Sequence, residues 1–204
     1  MNSFIWNIGY PLKELVTAQL HPDGSFIVTG AGDTEKYVTW EQIPWKEHRT
    51  EIRKVIFKEN VQPTSISSWF YGCENLKTVE NFPNSIKNMS IAFCGCVQLT
   101  ALPELPAALT DLDEAFIDCR SLTSFPVIPE NVIYTCDTFV NCEKLTGRML
   151  LKARLQQHAF MFQDACTNAE APLIIDYQKG LEAVADAIIA TGTAASHITK
   201  GRAL

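Results

Sequence analysis

Basic tracts are missing from this chain. Its 17 lysines and arginines are outnumbered by 23 aspartates and glutamates, for a formal charge of −6. Nucleic-acid binders normally present a basic face, so nucleic acid is not an expected partner. Long apolar runs are missing too. No stretch approaches the roughly 18 residues that cross a bilayer. Met1–Tyr10 has no positive segment leading into an apolar one, so neither a membrane span nor a secretory signal is expected. Patterned metal ligands are also absent. His21, His48, His158 and His197 are scattered, and Cys94 and Cys96 form a C-x-C with no second pair at zinc spacing. Gly30 and Gly32 are not followed by the Gly-Lys-Ser/Thr of a phosphate-binding loop. No serine or cysteine sits in a nucleophile motif with a base and an orienting partner. The sequence therefore predicts no metal, no cofactor and no catalytic residue, and it argues against an enzyme.

What is present is a repeat. Phenylalanine recurs at Phe70, Phe93, Phe116, Phe139 and Phe162, each 23 residues after the last. Cysteine follows three positions later at Cys73, Cys96, Cys119 and Cys142, and leucine three after that at Leu76, Leu99, Leu122 and Leu145. Three residue types locked to one period predict a solenoid, in which each unit buries its apolar side against its neighbours. Later apolar sites align as Val79, Leu102 and Phe125, then Phe82, Leu105 and Ile128, then Ile86, Leu109 and Val132. Pro83, Pro106 and Pro129 follow the second of these rows and are expected to end a strand, since proline cannot donate to a ladder. The F-x-x-C segment is read as a short helical turn with both side chains inward. The four repeat cysteines are then small buried hydrophobes rather than disulfides or ligands, while Cys94, Cys136 and Cys166 stand outside the pattern.

Before the repeats, Val16, Ala18 and Leu20 alternate with polar residues. Pro22-Asp23-Gly24 follows, and Phe26 and Val28 alternate again, which predicts a β-hairpin. Tyr37, Trp40 and Trp45 suit either a ligand platform or a cap over the raw end of the array, and the cap is the favoured reading. Ile52–Phe57 reads as the first strand of the array. After the fourth unit the pattern fades: Arg148 and Lys152 replace an apolar site and the proline. The expected organisation is a capping region with a hairpin over 1–51, the 23-residue repeats over 52–147, and a C-terminal cap, helix and tail over 148–204. The helix is placed on Leu181, Val184, Ala185, Ile188 and Ile189, which share one face.

The phrase Phe70-Tyr71-Gly72-Cys73-Glu74-Asn75-Leu76-Lys77-Thr78-Val79 resembles the BspA-like, or Treponema pallidum type, leucine-rich repeat. Ala101-Leu102-Pro103-Glu104-Leu105-Pro106 is similar to its bacterial surface-protein branch, and Asp23-Gly24, Pro44-Trp45 and Ile52–Phe57 are similar to the family's lead-in. The resemblance implies an α/β, β-rich, right-handed solenoid with parallel strands and short helical turns. It also implies a bacterial protein, often at the cell surface, that binds proteins or host-surface components.

The leading functional reading is a non-enzymatic interaction or adhesion module. Its candidate partner-binding positions are those that strand alternation turns outward: Thr78, Glu80, Ala101 and Ser124, with Asn81 and Glu104 beside them. That set is mild and lacks a hot-spot composition. Asp111, Asp113, Glu114 and Asp118 form an acidic run without the glycine and final glutamate of a calcium loop, and a solvated face is expected there. A different class of reading is a structural part of a larger assembly. It follows from Leu181-Glu-Ala-Val-Ala-Asp-Ala-Ile188, which resembles segments at the ends of phage tail-associated proteins.

Overall fold

The computed structural model describes residues 3–124 and 128–145. The expected C-terminal cap, helix and tail, together with Phe125, lie outside the described residues.

The alternating segments form a five-stranded mixed sheet. Its strands are β1 (Phe4–Asn7), β3 (Val16–Leu20), β4 (Ser25–Gly30), β6 (Lys54–Phe57) and β7 (Thr78–Glu80), in the order β1-β3-β4-β6-β7. β2 (Gly9–Tyr10) and β5 (Asp33–Thr34) pair separately. β1, β3 and β4 pair antiparallel with one another in that order, whereas β6 and then β7 extend the sheet from β4 in parallel. The hairpin's second strand is thus also the first parallel strand. One face of this sheet carries Ala18, Leu20, Phe26, Val28, Val55, Phe57 and Val79, all buried. Between β3 and β4, Gly24 has φ 87°, and a Cβ there would lie 2.7 Å from the Glu51 carbonyl oxygen, so the turn requires glycine. Asp23 closes the same turn by accepting the Ser25 N–H at 2.9 Å.

The repeat units stack through a backbone ladder in an unexpected place. In the first unit the N–H groups of Ile66, Ser68, Phe70 and Gly72 donate to the carbonyls of Asn88, Ser90, Ala92 and Cys94 in the next. The same four bonds recur from Met89, Ile91, Phe93 and Gly95 to the third unit, and from Leu112, Glu114, Phe116 and Asp118 to the fourth, at 2.7–3.1 Å throughout. The F-x-x-C segment is therefore not a helical turn. Its alternate N–H groups point to the next unit, and those between close three-residue turns, as Cys73 N–H to Phe70 at 3.1 Å. Left-handed residues make this alternation possible: Ser68, Ile91, Glu114 and Asp137 have φ of 50–61°, as do Gly72, Gly95, Asp118 and Asn141 at 58–78°.

On the opposite side, a strand was expected in every unit, but among the described residues only Lys54–Phe57 and Thr78–Glu80 form them, and the later units do not. Pro103 stands where Glu80 stands one unit earlier, and Pro106 follows, so the second unit lacks the N–H groups that would extend the ladder. One bond, Thr123 N–H to the Thr100 carbonyl at 3.0 Å, still joins the second and third units there.

Between these two sides the core is a stack of like residues. The rings of Phe70, Phe93, Phe116 and Phe139 follow one another at 5.4, 5.7 and 5.5 Å. Cys73, Cys96, Cys119 and Cys142 are free thiols and buried. Each of the last three donates its S–H to a phenylalanine carbonyl 26 residues earlier, at 3.1–3.3 Å. Burying each large side chain contributes about 2 kcal/mol, and only while its neighbours are in place.

Candidate functional site

All six strand-side candidates are exposed. Thr78 and Glu80 project from the outer face of β7, where Glu80 pairs with Lys54 at 2.8 Å. Asn81 ends that strand with φ 59°. Ala101 and Ser124 occupy the place of Thr78 in the next two units, brought side by side by the Thr123–Thr100 bond, and Glu104 occupies that of Asn81. These positions form a row along the stack with little aromatic or cationic character.

A second surface has the chemistry the strand side lacks. The aromatic group divides in two. Trp45 and Trp69 are core residues, 0 % and 1 % exposed, and the Trp45 indole N–H donates to the Trp69 carbonyl at 2.8 Å. Trp40 and Tyr71 are half-buried and stack at 5.6 Å and 21°. Local sequence explains the division. Trp40 begins a turn of 3-10 helix, Trp40–Gln42, held by the Val38 N–H donating to the Gln42 side chain at 2.7 Å. Tyr71 follows the inward Phe70 and faces outward.

Arg49 lies over Trp40, its guanidinium carbon 5.3 Å from the ring centroid. It can do so because Gly72 has no side chain: a Cβ there would meet Arg49 Cδ at 3.3 Å. Arg49 has no ion pair among the described residues. Arg120, across the same groove, is tied to Asp118 at 3.0 Å and Glu143 at 3.9 Å. The groove between them has a volume of about 330 Å³, with Gly72 and Gly95 on its floor. From Tyr71 a half-buried apolar row, Cys94, Ile117 and Val140, continues one residue per unit. Under the platform, Trp69 lines a cavity of about 10 Å³ beside Arg49 and Tyr71, and its buried indole N–H has no acceptor among the described residues. That volume is enough for about one water.

The acidic run is more than a solvated face. Asp111 accepts the Asp113 N–H at 3.0 Å, Asp113 accepts the Cys136 N–H at 2.8 Å, and Asp118 accepts from Asn141 at 3.2 Å. These carboxylates hold the turns of adjacent units together. Burial holds Asp111 above the usual carboxylate range, against the Asp113 N–H, which pulls it down. Burial, with Asp118 and Glu114 nearby, pushes Cys94 up to about 11, which leaves it protonated at neutral pH. His48 is enclosed by Phe4, 3.9 Å between ring centroids, and hydrogen-bonds Glu51 at 2.8 Å. Among the described residues no group of three histidine, cysteine or carboxylate side chains can hold a metal ion, and no helix is long and apolar enough to cross a membrane.

Sequence reasoning separated neither Trp40 from Trp45 nor Arg49 from other surface arginines. One signal was available: Gly72 and Gly95 sit at the same repeat position, where a missing side chain makes room for a neighbour.

Comparison with known proteins places the repeat. The profile of the BspA type leucine-rich repeat region matches residues 47–167 in six copies. A leucine-rich repeat protein from Eubacterium ventriosum aligns with 21% identity over 71% of this chain and 43% of its own, at a TM-score of 0.49. A T. pallidum leucine-rich repeat protein aligns with 18% identity over 71% of this chain and 94% of its own, at a TM-score of 0.33. This chain thus spans less than half the length of the first. No curated protein matches. The profile covers more than half of the chain and includes the units whose phenylalanines and thiols stack in the structure, so the chain belongs to the BspA-type leucine-rich repeat family.

Proposed function

We propose that this chain is a non-enzymatic protein-interaction module and that its hot spot is the Trp40–Tyr71–Arg49 surface. The observation carrying this reading is the arginine stacked on a half-exposed tryptophan with no carboxylate partner among the described residues. Tryptophan, tyrosine and arginine dominate binding energy at interfaces, and a desolvated stacked guanidinium gains most from a partner's acidic group. On this reading the repeats form a right-handed solenoid, and the region up to residue 51 caps its first end. The strand row Thr78, Glu80, Asn81, Ala101, Glu104 and Ser124 forms a second, weaker contact. Adhesion at a bacterial surface fits the same chemistry.

The test is to capture partners with the wild-type chain, purify the protein identified, and measure its affinity directly. Arg49→Ala with Tyr71→Ala is expected to weaken that purified pair on the order of a hundredfold, the loss of two hot-spot residues. Equal affinity of wild type and variant would place the interface elsewhere.

A further inference from the structure

A groove larger than the one beside Arg49 lies on another part of the surface, and its lining differs in kind. It has a volume of about 780 Å³ and is formed by the turns after β6 and β7. Four amide side chains line it, Asn60 and Gln62 from the first turn and Asn81 and Asn84 from the second. All four are exposed, and none of these side chains has a hydrogen-bond partner among the described residues. Two of them are fixed by the backbone: Asn60 has φ 71° and Asn81 φ 59°. The apolar part of the lining is Phe57, Val61, Phe82 and Pro83. Phe82 is half-buried and held between Phe57 at 6.2 Å and Phe93 at 5.9 Å, so it is a rigid wall rather than a mobile ring.

The groove carries no net charge, since Lys58 and Glu59 are adjacent and no other ionisable group among the described residues lines it. A ligand of either sign therefore gains no overall attraction from it, and a neutral one loses nothing. A ligand matched to the amides must offer donors and acceptors close together, because each amide presents a carbonyl and an NH2 side by side. An extended peptide main chain and a sugar both do so. The backbone bears on the choice. One way a peptide binds is strand addition to free main-chain groups. At the first turn that position is filled: Gly32 donates to the Asn60 carbonyl at 3.0 Å and accepts from Gln62 N–H at 2.7 Å, as a parallel bridge to Val61. Recognition on that side is left to side-chain amides over an apolar wall. That suits vicinal hydroxyls with a C–H face behind them, and pockets of this mixed kind are ordinary small-ligand sites. We infer that the groove bounded by Asn60, Gln62, Asn81, Asn84 and Phe82 binds a neutral saccharide. This site is separate from the Trp40–Tyr71–Arg49 surface and does not depend on that reading.

The experiment is a neutral-glycan array probed with the full chain, followed by titration of the ¹⁵N-labelled protein. The titrants are the array's best ligand and cellohexaose, maltohexaose, mannohexaose and chitohexaose. Side-chain amide signals of Asn60, Gln62, Asn81 and Asn84 are expected to shift with one of these sugars. Asn60→Gly with Asn81→Gly removes two amides, and glycine accepts both left-handed conformations without strain. This variant is expected to lose affinity on the order of tenfold, as two lost hydrogen bonds would give. Arg49→Ala is expected to leave sugar affinity unchanged. The proposal is overturned if no neutral glycan binds, if the glycine variant binds as well as wild type, or if an uncharged peptide moves the same amide signals and the sugars do not.

Discussion

The rings of Phe93 and Phe116 are stacked 5.7 Å apart and only 6° from parallel, although 23 residues separate them in the chain. Beside this pair, the Phe93 N–H donates to the Ala115 carbonyl at 2.9 Å. Side-chain stacking and backbone ladder thus act on the same junction. Phe116→Ala opens a cavity within a run of stacked rings and is expected to cost about 3–5 kcal/mol in urea unfolding. Amide hydrogen exchange should localise the damage: Met89, Ile91, Phe93 and Gly95 lose protection more than Val55 or Phe57. Uniform loss across the sheet would contradict a junction-by-junction stack.

The six cysteines within the described residues should separate by reactivity. Cys136 is exposed, Cys94 half-buried, and Cys73, Cys96, Cys119 and Cys142 buried. Burial pushes Cys142 up to about 12, and Cys73, Cys96 and Cys119 are raised as well, chiefly by burial. Maleimide labelling with peptide mapping is expected to modify Cys136 first, Cys94 slowly and the buried four only after unfolding. The carboxylate of Asp137 also raises Cys136, so Asp137→Asn should speed its labelling near pH 8. The buried thiols stay protonated when folded but ionise when unfolded. The contribution of these thiols to stability is therefore expected to be flat below the ordinary thiol value of 9.0 and to fall as pH rises above it. A disulfide among the buried four would contradict the stacked-thiol core.

Much of this core was legible because the 23-residue period is written in large side chains. Leu76, Leu99, Leu122 and Leu145 are all buried, as are Ala92, Ala115 and Thr138. The row Ile66, Met89, Leu112 and Thr135 is equally buried and equally periodic, but its chemistry varies from isoleucine to threonine, so identity matching passed over it. β1 escaped notice because Phe4 and Trp6 alternate over only four residues. The backbone ladder was only half legible. Gly72, Gly95, Asp118 and Asn141 are types that favour its left-handed conformation, whereas Ser68, Ile91, Glu114 and Asp137, which share it, have no common side-chain signature. The half-exposed platform was hidden for a related reason: Trp40 and Trp45 are identical in sequence, and only the packing of Trp45 against Trp69, 5.3 Å between centroids, sets them apart.

Asn88 and Asp111 occupy one repeat position in adjacent units, and the Asn88 NH2 donates to Asp111 at 2.6 Å. The Asn88 carbonyl oxygen is already engaged, accepting the Ser90 N–H at 3.0 Å. Asn88→Asp keeps that acceptor but turns the other oxygen toward Asp111, replacing a hydrogen bond with two facing carboxylates. The loss at pH 7 is expected to be about 1–3 kcal/mol. Two carboxylates sharing a site raise the pKa of one of them. The folded state of this variant therefore binds a proton more readily than the unfolded chain, and its stability recovers as pH falls through the raised value. Thermal unfolding of both proteins from pH 7 to about 4 should show the gap narrowing, because unfolded carboxylates titrate near 4. A gap independent of pH would mean the loss is steric.

Ile91 is the residue least suited to its place. Its φ is 59°, in line with Ser68, Glu114 and Asp137 at the same repeat position, but it alone is β-branched. The left-handed conformation costs an L-residue about 1–2 kcal/mol, and branching at Cβ worsens the crowding. Ile91 cannot relax, since its N–H is bonded to Asp113 at 2.8 Å and its carbonyl accepts from Cys94 at 3.3 Å. Asparagine tolerates this conformation far better. The side chain is only half-buried, so Ile91→Asn gives up part of an isoleucine's burial and should still gain about 0.5–1 kcal/mol from the relieved strain. Ile91→Val keeps the branch, loses a methyl contact and should be slightly destabilising. Urea midpoints for the two variants therefore bracket wild type, with asparagine above and valine below. The reverse order would show that burial of this side chain outweighs backbone strain, and that the ladder holds the conformation at no measurable cost.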